Sequence, residues 1–353
     1  MKRKMWVVAV LIGLILCGLD AYTDEIAGWQ GRSGHRMAAF EDALFISGGL
    51  YAFEKNFFFN DLWVSKDGAV WNRVEMAPAY SPSRQLHGFL VFQEHLWVLG
   101  GQSDVYLNDV WRSADGSGWE TVTASAAWTP RRGMAALVHN DRMFLLGGED
   151  GDREYNSDVW VSDDGASWEL LTGSPGWRPR WEHAAVSFNN AIFVLGGAAE
   201  YGKFNDVWRS SDGVTWTKMG TLPVGVRGHC AEVFRNKIFV FGGVDENDKL
   251  LNQILASDDG TTWEVVEEYA LWPARTRHAS TVQDRQLWLA GGTTETGDSS
   301  EVWHSRDGVD WQDASVSGCG CTCSSEEPKT WKAFLGDLLL VGISLLVVLH
   351  MKK

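Results

Sequence analysis

A column of arginines recurs along the chain at Arg32, Arg84, Arg131, Arg180 and Arg275, with Val226 where a sixth would fall. Three residues before four of them stands a tryptophan, Trp29, Trp128, Trp177 or Trp272, so W-x-x-R is spelled four times. Guanidinium groups hold carboxylates bidentately, and indoles stack on flat or apolar ring faces. Gathered on one rim, these residues would bind an acidic or sugar ligand. Used once per repeat, each Arg would instead bond carbonyls of an adjacent element while each Trp covers its edge. A binding site breaks the symmetry of a repeat, which singles out the irregular neighbours Arg132, Trp181, Glu182, Arg227 and Arg277. Arg180, Glu182 and His183 stand close enough in sequence to serve a proton transfer, if the fold aims them together.

The elements that must position these side chains are themselves repeated. Gly-Gly pairs at 48–49, 100–101, 147–148, 196–197, 242–243 and 291–292 each end a short apolar run such as IFVLGG. Thirteen residues before the first glycine of each pair stand His35, His87, Met134, His183, His229 and His278. This column reads chiefly as structural, because every unit keeps a similar residue at a strand start. After each pair comes a loop of variable length and then a phrase of the form NDVWRSSDGVTW, which runs from 205 to 216. Its Asp-Gly step is a hairpin signal, since Gly accepts positive φ and Asp caps nearby amides. Three residues beyond each such Gly stands Trp71, Trp119, Trp168, Trp216, Trp263 or Trp311, suited to packing between sheets. Six units of about 50 residues, each able to form four short strands, read as blades that bury their faces only against one another.

Composition agrees. Twenty Trp and 38 Gly against 8 Pro fit many short strands with aromatic packing between layers. A formal charge of −15 excludes a general phosphate-binding surface, so nucleic acid is not an expected partner. The acidic loops 147–158 and 242–250 lack the ordered ligand spacing of a helix–loop–helix calcium site. Neither a metal nor a cofactor is expected in the repeat region. Cys230, within an apolar strand, reads as a small core residue.

The unit resembles a kelch repeat, with its apolar strand ending in Gly-Gly and its spaced Asp-x-Trp segment, over about residues 29–316. The segment S-x-D-G-x-x-W is similar to the Asp-box turn of sialidase-type propellers, whose role is usually structural. Blade 5 departs most, with LNQILAS in place of NDVWRSS, and blade 6 has Glu301 where Asp is usual. The kelch resemblance implies that the W-x-x-R connection lies at the mouth of a central channel, where arginines of some peptide-binding members meet acidic ligands. Copper-oxidase and sialidase chemistries lack their required constellations in this chain. A sialic-acid mutarotase-like or epimerase-like isomerase, using Arg180, Glu182 and His183, is the enzymatic alternative.

The chain ends follow another pattern. MKRK and then MWVVAVLIGLILCGL have the charged start and apolar run of a secretory signal ending near Ala21. Residues 331–353 read as a transmembrane helix with a basic tip, and lysines inside would place the bulk of the chain outside. Between them and the repeats, the polar linker 318–330 carries Cys319, Cys321 and Cys323. This tail resembles bacterial C-terminal sorting signals of the myxosortase type, which implies processing or lipid attachment at Cys319 or Cys321. The same spacing also permits a Cys319–Cys323 disulfide or part of a soft-metal site.

The expectation is therefore an all-β, six-bladed kelch-like β-propeller over residues 22–317, preceded by a signal segment and followed by a transmembrane helix. Its expected role is non-catalytic recognition of an extracytoplasmic protein, peptide or glycan at the channel mouth. Candidate ligand-binding residues are Arg32, Arg84, Arg131, Arg180, Arg275, Trp29, Trp128, Trp177, Trp272, Glu182 and His183.

Overall fold

A computed structural model describes residues 28–52, 57–76 and 83–315. The signal segment, the cysteines of the tail and the C-terminal apolar stretch lie outside the described residues. Among the described residues no helix is long and apolar enough to cross a membrane.

The protein is an all-β propeller. Among the described residues six antiparallel sheets follow one another along the chain, one for each sequence unit, five of them four-stranded and the third extended to five strands by Arg131–Arg132. In the fourth unit the strands are Ala184–Phe188, Ala191–Leu195, Asp206–Ser210 and Thr217–Thr221, paired in that order. Equivalent innermost strands are Arg36–Phe40, Gly88–Phe92, Ala135–His139, Cys230–Phe234 and Ala279–Gln283. These six strands surround a channel of about 490 Å³.

Two kinds of turn shape each sheet. The first joins the two inner strands through paired left-handed residues, such as Gln93 and Glu94 or Asn189 and Asn190. That geometry matches the twist of the strands, although none of these pairs contains glycine. The second is the Asp-Gly turn. In the fourth unit Ser210 Oγ accepts from Gly213 N at 2.9 Å, and Asp212 Oδ1 accepts from Val214 N and Thr215 N. The following Trp216 donates its indole N–H to Gly213 O at 3.0 Å. The Ser and Asp bonds recur in every unit, in the first for example between Ser65, Asp67 and Gly68, whereas the indole bond is made in the first four units only and is absent at Trp263 and Trp311.

Packing between sheets explains the glycines. A Cβ added to Gly197 would lie 2.7 Å from the Cβ of His183, and one on Gly196 would lie 2.7 Å from the Val226 carbonyl oxygen of the next unit. The Gly-Gly pair thus lets two backbones and a histidine share one space. Each column histidine leans on the first glycine of the preceding unit, as His229 does on Gly196.

All strands of each sheet come from one unit, so among the described residues the ring closes without a shared sheet. The first and sixth sheets meet through backbone bonds from Arg32 N to Ser299 O (3.1 Å) and from Gly292 N to Arg32 O (2.8 Å). His35 Nε2 lies 3.1 Å from Ala290 O, and Gly68 abuts the ring of Trp288.

Candidate functional site

Each of the five column arginines is buried in its own unit. Arg180 Nη1 donates to Gly196 O and to Asp206 Oδ1, both at 2.7 Å, and Nη2 donates to Asp206 Oδ2 at 3.0 Å. Asp206 accepts a further bond from Trp208 Nε1 at 2.7 Å. Arg32, Arg84 and Arg131 repeat this with Asp61, Asp109 and Asp158, while Arg275 pairs with Glu301. The fifth unit loses the whole set together: Val226 replaces Arg, Gln253 replaces Asp and Leu255 replaces Trp. Three residues disappearing as a group is the behaviour of an internal ion-paired module. All five arginines are at most 1 % exposed as whole residues, so the structure places them within the blades and not on a ligand-facing rim.

The W-x-x-R tryptophans are placed similarly. Trp29, Trp128, Trp177 and Trp272 are buried and stand edge-on to Trp71, Trp168, Trp216 and Trp311, at centroid distances of 6.0–6.3 Å. Their rings fill the gaps between sheets. His183 is buried as well, and burial followed by the charge of Arg180 pushes its pKa down to about 3, so it stays neutral at ordinary pH.

The irregular residues come together at the opening of the channel. Inner strands begin at a belt formed by Gly34, Leu86, Gly133, Glu182, Gly228 and Arg277, one from each unit, all at φ of 49–65°. Each belt N–H donates to the belt carbonyl of the preceding unit at 2.7–2.9 Å, and Gly34 N to Arg277 O completes the circle. Three members are not glycine and hold a conformation that costs an L-residue about 1–2 kcal/mol. Leu86, Glu182 and Arg277 are therefore kept left-handed by the ring itself. Strand direction places this belt at the end opposite the Asp-Gly turns.

Glu182 aims inward from the belt with its side chain 1 % exposed and bridges two arginines. Its Oε2 accepts from Arg227 Nη1 at 2.5 Å and its Oε1 from Arg277 Nε at 2.6 Å. Burial alone would raise its pKa, but Arg277 and Arg227 outweigh that and hold the carboxylate ionised. Around the ring of Trp181 stand Arg132, Arg227 and Arg277, at 4.9, 5.5 and 5.7 Å from its centroid. Arg132 is anchored by Glu149 through Nε at 3.0 Å and Nη2 at 2.9 Å. Three guanidinium groups facing two carboxylates leave a positive opening on a chain of net charge −15.

Below the belt the channel holds groups that the sequence reading missed. Cys230 lies half-buried on the channel wall, its Sγ donating to His278 O at 3.2 Å, and burial pushes its thiol up to about 12. Burial likewise pushes Glu232 up to about 7, while Ser280 Oγ donates to its Oε1 at 2.7 Å. Arg36 projects from the first inner strand into the same space. The available signal was positional, since Arg36 breaks a column of small residues and Glu232 a column of largely apolar ones.

The family model for the DUF6242 beta propeller domain matches residues 38–234, more than half of the chain. The chain belongs to the DUF6242 beta propeller family. In this DUF6242 protein the match begins in the first inner strand and ends with the fifth, so it includes Arg132, Trp181, Glu182 and Arg227, while Arg277 lies beyond it. No curated protein matches the chain.

Proposed function

We propose that this DUF6242 protein is a non-catalytic recognition module of the cell envelope, a six-bladed kelch-like propeller whose channel mouth binds a protein, peptide or glycan presenting a carboxylate. The arrangement of Arg132, Arg227 and Arg277 around the indole of Trp181 carries this reading. Guanidinium groups 20–27 % exposed and pre-oriented by buried carboxylates lose little freedom on binding, and an indole beside them supplies stacking area. The six sheets, one per unit, and the cyclic belt support the blade count, and the apolar segments near both termini support export and anchoring outside the membrane. Cys319 and Cys321 fit a processing or lipidation role on the same grounds.

The isomerase alternative rests on Arg180, Glu182 and His183, and their environments weigh against it. Arg180 is committed to Asp206, Glu182 is held ionised by two arginines, and His183 stays neutral. Neither Glu182 nor His183 is poised near neutral pH to give and take a proton.

The test is binding of a Glu-rich peptide and of an oligogalacturonate to the full-length protein, by calorimetry and thermal shift. A ligand selective for the folded state raises its melting temperature. Trp181→Ala and Arg132→Ala are expected to weaken binding about tenfold or more, the scale of an interface hot spot. Binding that survives both substitutions unchanged would move the site away from the mouth.

A further inference from the structure

The interior of the channel carries charges that the mouth does not use. At the first position of the inner strand, five units have a small residue, Gly88, Ala135, Ala184, Cys230 or Ala279, and the first unit has Arg36. Its Nε donates to His87 O at 2.9 Å and its Nη1 to His35 O at 3.2 Å, both backbone carbonyls. Whereas the column arginines and the mouth arginines each hold a carboxylate, Arg36 makes no ion pair among the described residues. Burial pulls the pKa of this part-buried guanidinium down, and the more distant charge of Glu182 on the belt does not offset it, so a carboxylate placed directly on Arg36 would be favourable.

A second departure lies on the fifth inner strand. Glu232 stands where other units have Ala38, Leu90, Leu137, Val186 and Thr281, and it is held by Ser280 of the sixth sheet. Cys230 faces the channel on the same strand and, at its raised pKa, stays protonated. The inner strand of the fourth sheet, Ala184–Phe188, brings no titratable group to Glu232. The channel that holds both groups, which also reaches Glu182 and Arg277 of the belt, is about 490 Å³, within the usual range of small-molecule sites. It exceeds the volume of a lone inorganic oxyanion, and small residues such as Ala135, Ala184 and Ala279 leave room between the polar groups for a carbon skeleton bearing one acidic group.

We propose that the channel interior is a second binding site, below the mouth in the same channel, for a small organic carboxylate that pairs with Arg36 and extends toward Glu232 and Ser280. The carboxylate supplies a direct counterion by a bidentate contact. Below neutral pH the protonated Glu232 donates a hydrogen bond to an oxygen of the ligand. Above it, the ionised carboxylate repels the same ligand, so affinity falls as pH rises through about 7.

The experiment is calorimetric titration of the full-length protein with D-glucuronate at pH 6 and pH 8, with D-glucose and inorganic phosphate as comparators. Glucuronate is expected to bind about tenfold more weakly at pH 8, and neither comparator is expected to bind. Arg36→Met should abolish binding, with Arg36→Lys, which keeps the charge but not the fork, weakening it at least tenfold should the Met variant fail to fold. Glu232→Gln should leave the affinities at the two pH values equal. Binding that persists in Arg36→Met, phosphate binding as tight as glucuronate, or no glucuronate binding at either pH would overturn the proposal. Loss of glucuronate binding in Trp181→Ala with retention in Arg36→Met would assign the ligand to the mouth and overturn it as well.

Discussion

Replacing Arg180 by Val tests whether the recurring arginines are internal struts. The side chain is 0 % exposed and its partner carboxylate 16 % exposed. Arg180→Val removes two bonds to Asp206 and one to Gly196 O, leaving the carboxylate with only Trp208 Nε1 from that set. Breaking one side of a buried pair typically costs about 3–5 kcal/mol, because the other charge stays desolvated and unpaired. The fifth unit shows how the same position is filled without charge, with Val226, Gln253 and Leu255. The triple variant Arg180→Val, Asp206→Gln, Trp208→Leu is therefore expected to recover most of the loss and lie within about 1–2 kcal/mol of wild type. Guanidinium unfolding followed by circular dichroism reads both, compared at equal m-values. A single variant costing under about 1 kcal/mol, or a triple variant no more stable than the single, would refute the strut. So would a loss of ligand binding at unchanged stability.

Other perturbations bear on the histidine column, the ring closure and the turns. His35, His87, His183, His229 and His278 have pKa values lowered by burial first, so the unfolded chain takes up their protons near 6.5 while the folded chain does not. Stability should therefore fall as pH drops below about 6.5, by about 1 kcal/mol per histidine down to pH 5.5. His183→Met, copying Met134, should reduce the proton uptake on unfolding by one, read from the pH dependence of the melting curve; an unchanged slope would count against it. Gly68→Ala would set a Cβ 2.1 Å from the Trp288 ring at φ +73°, and strain plus overpacking should cost about 3 kcal/mol and loosen the contact between the first and last sheets. Hydrogen exchange of the strand Gln286–Ala290 reads that loosening, and protection equal to wild type would exclude it. Asp212→Ala, removing the cap on Val214 N and Thr215 N, should lower stability by about 1 kcal/mol without altering ligand affinity.

Much of the architecture is legible because it is local. An Asp-Gly step, a Trp three residues later and an apolar run ending in Gly-Gly each act within a few residues, so their repetition discloses turns, strands and the length of a unit. The inner hairpins were harder to read, since Gln93-Glu94 adopts a left-handed turn with no glycine to announce it, under the direction of strand twist.

Burial and encounter are different matters. A spacing of W-x-x-R is the same whether the guanidinium faces a ligand or an Asp 26 residues away, and only the folded blade directs Arg180 onto Asp206. Symmetry-breaking marked Arg132, Trp181, Glu182, Arg227 and Arg277 as candidates, yet their meeting depends on the closed ring, which brings Glu182 to Arg277 across 95 residues of chain. Arg36 and Glu232 gave less away, being single polar letters inside apolar strands. What distinguishes them is desolvation inside a channel walled by all six sheets, a property of the closed ring and of no segment by itself.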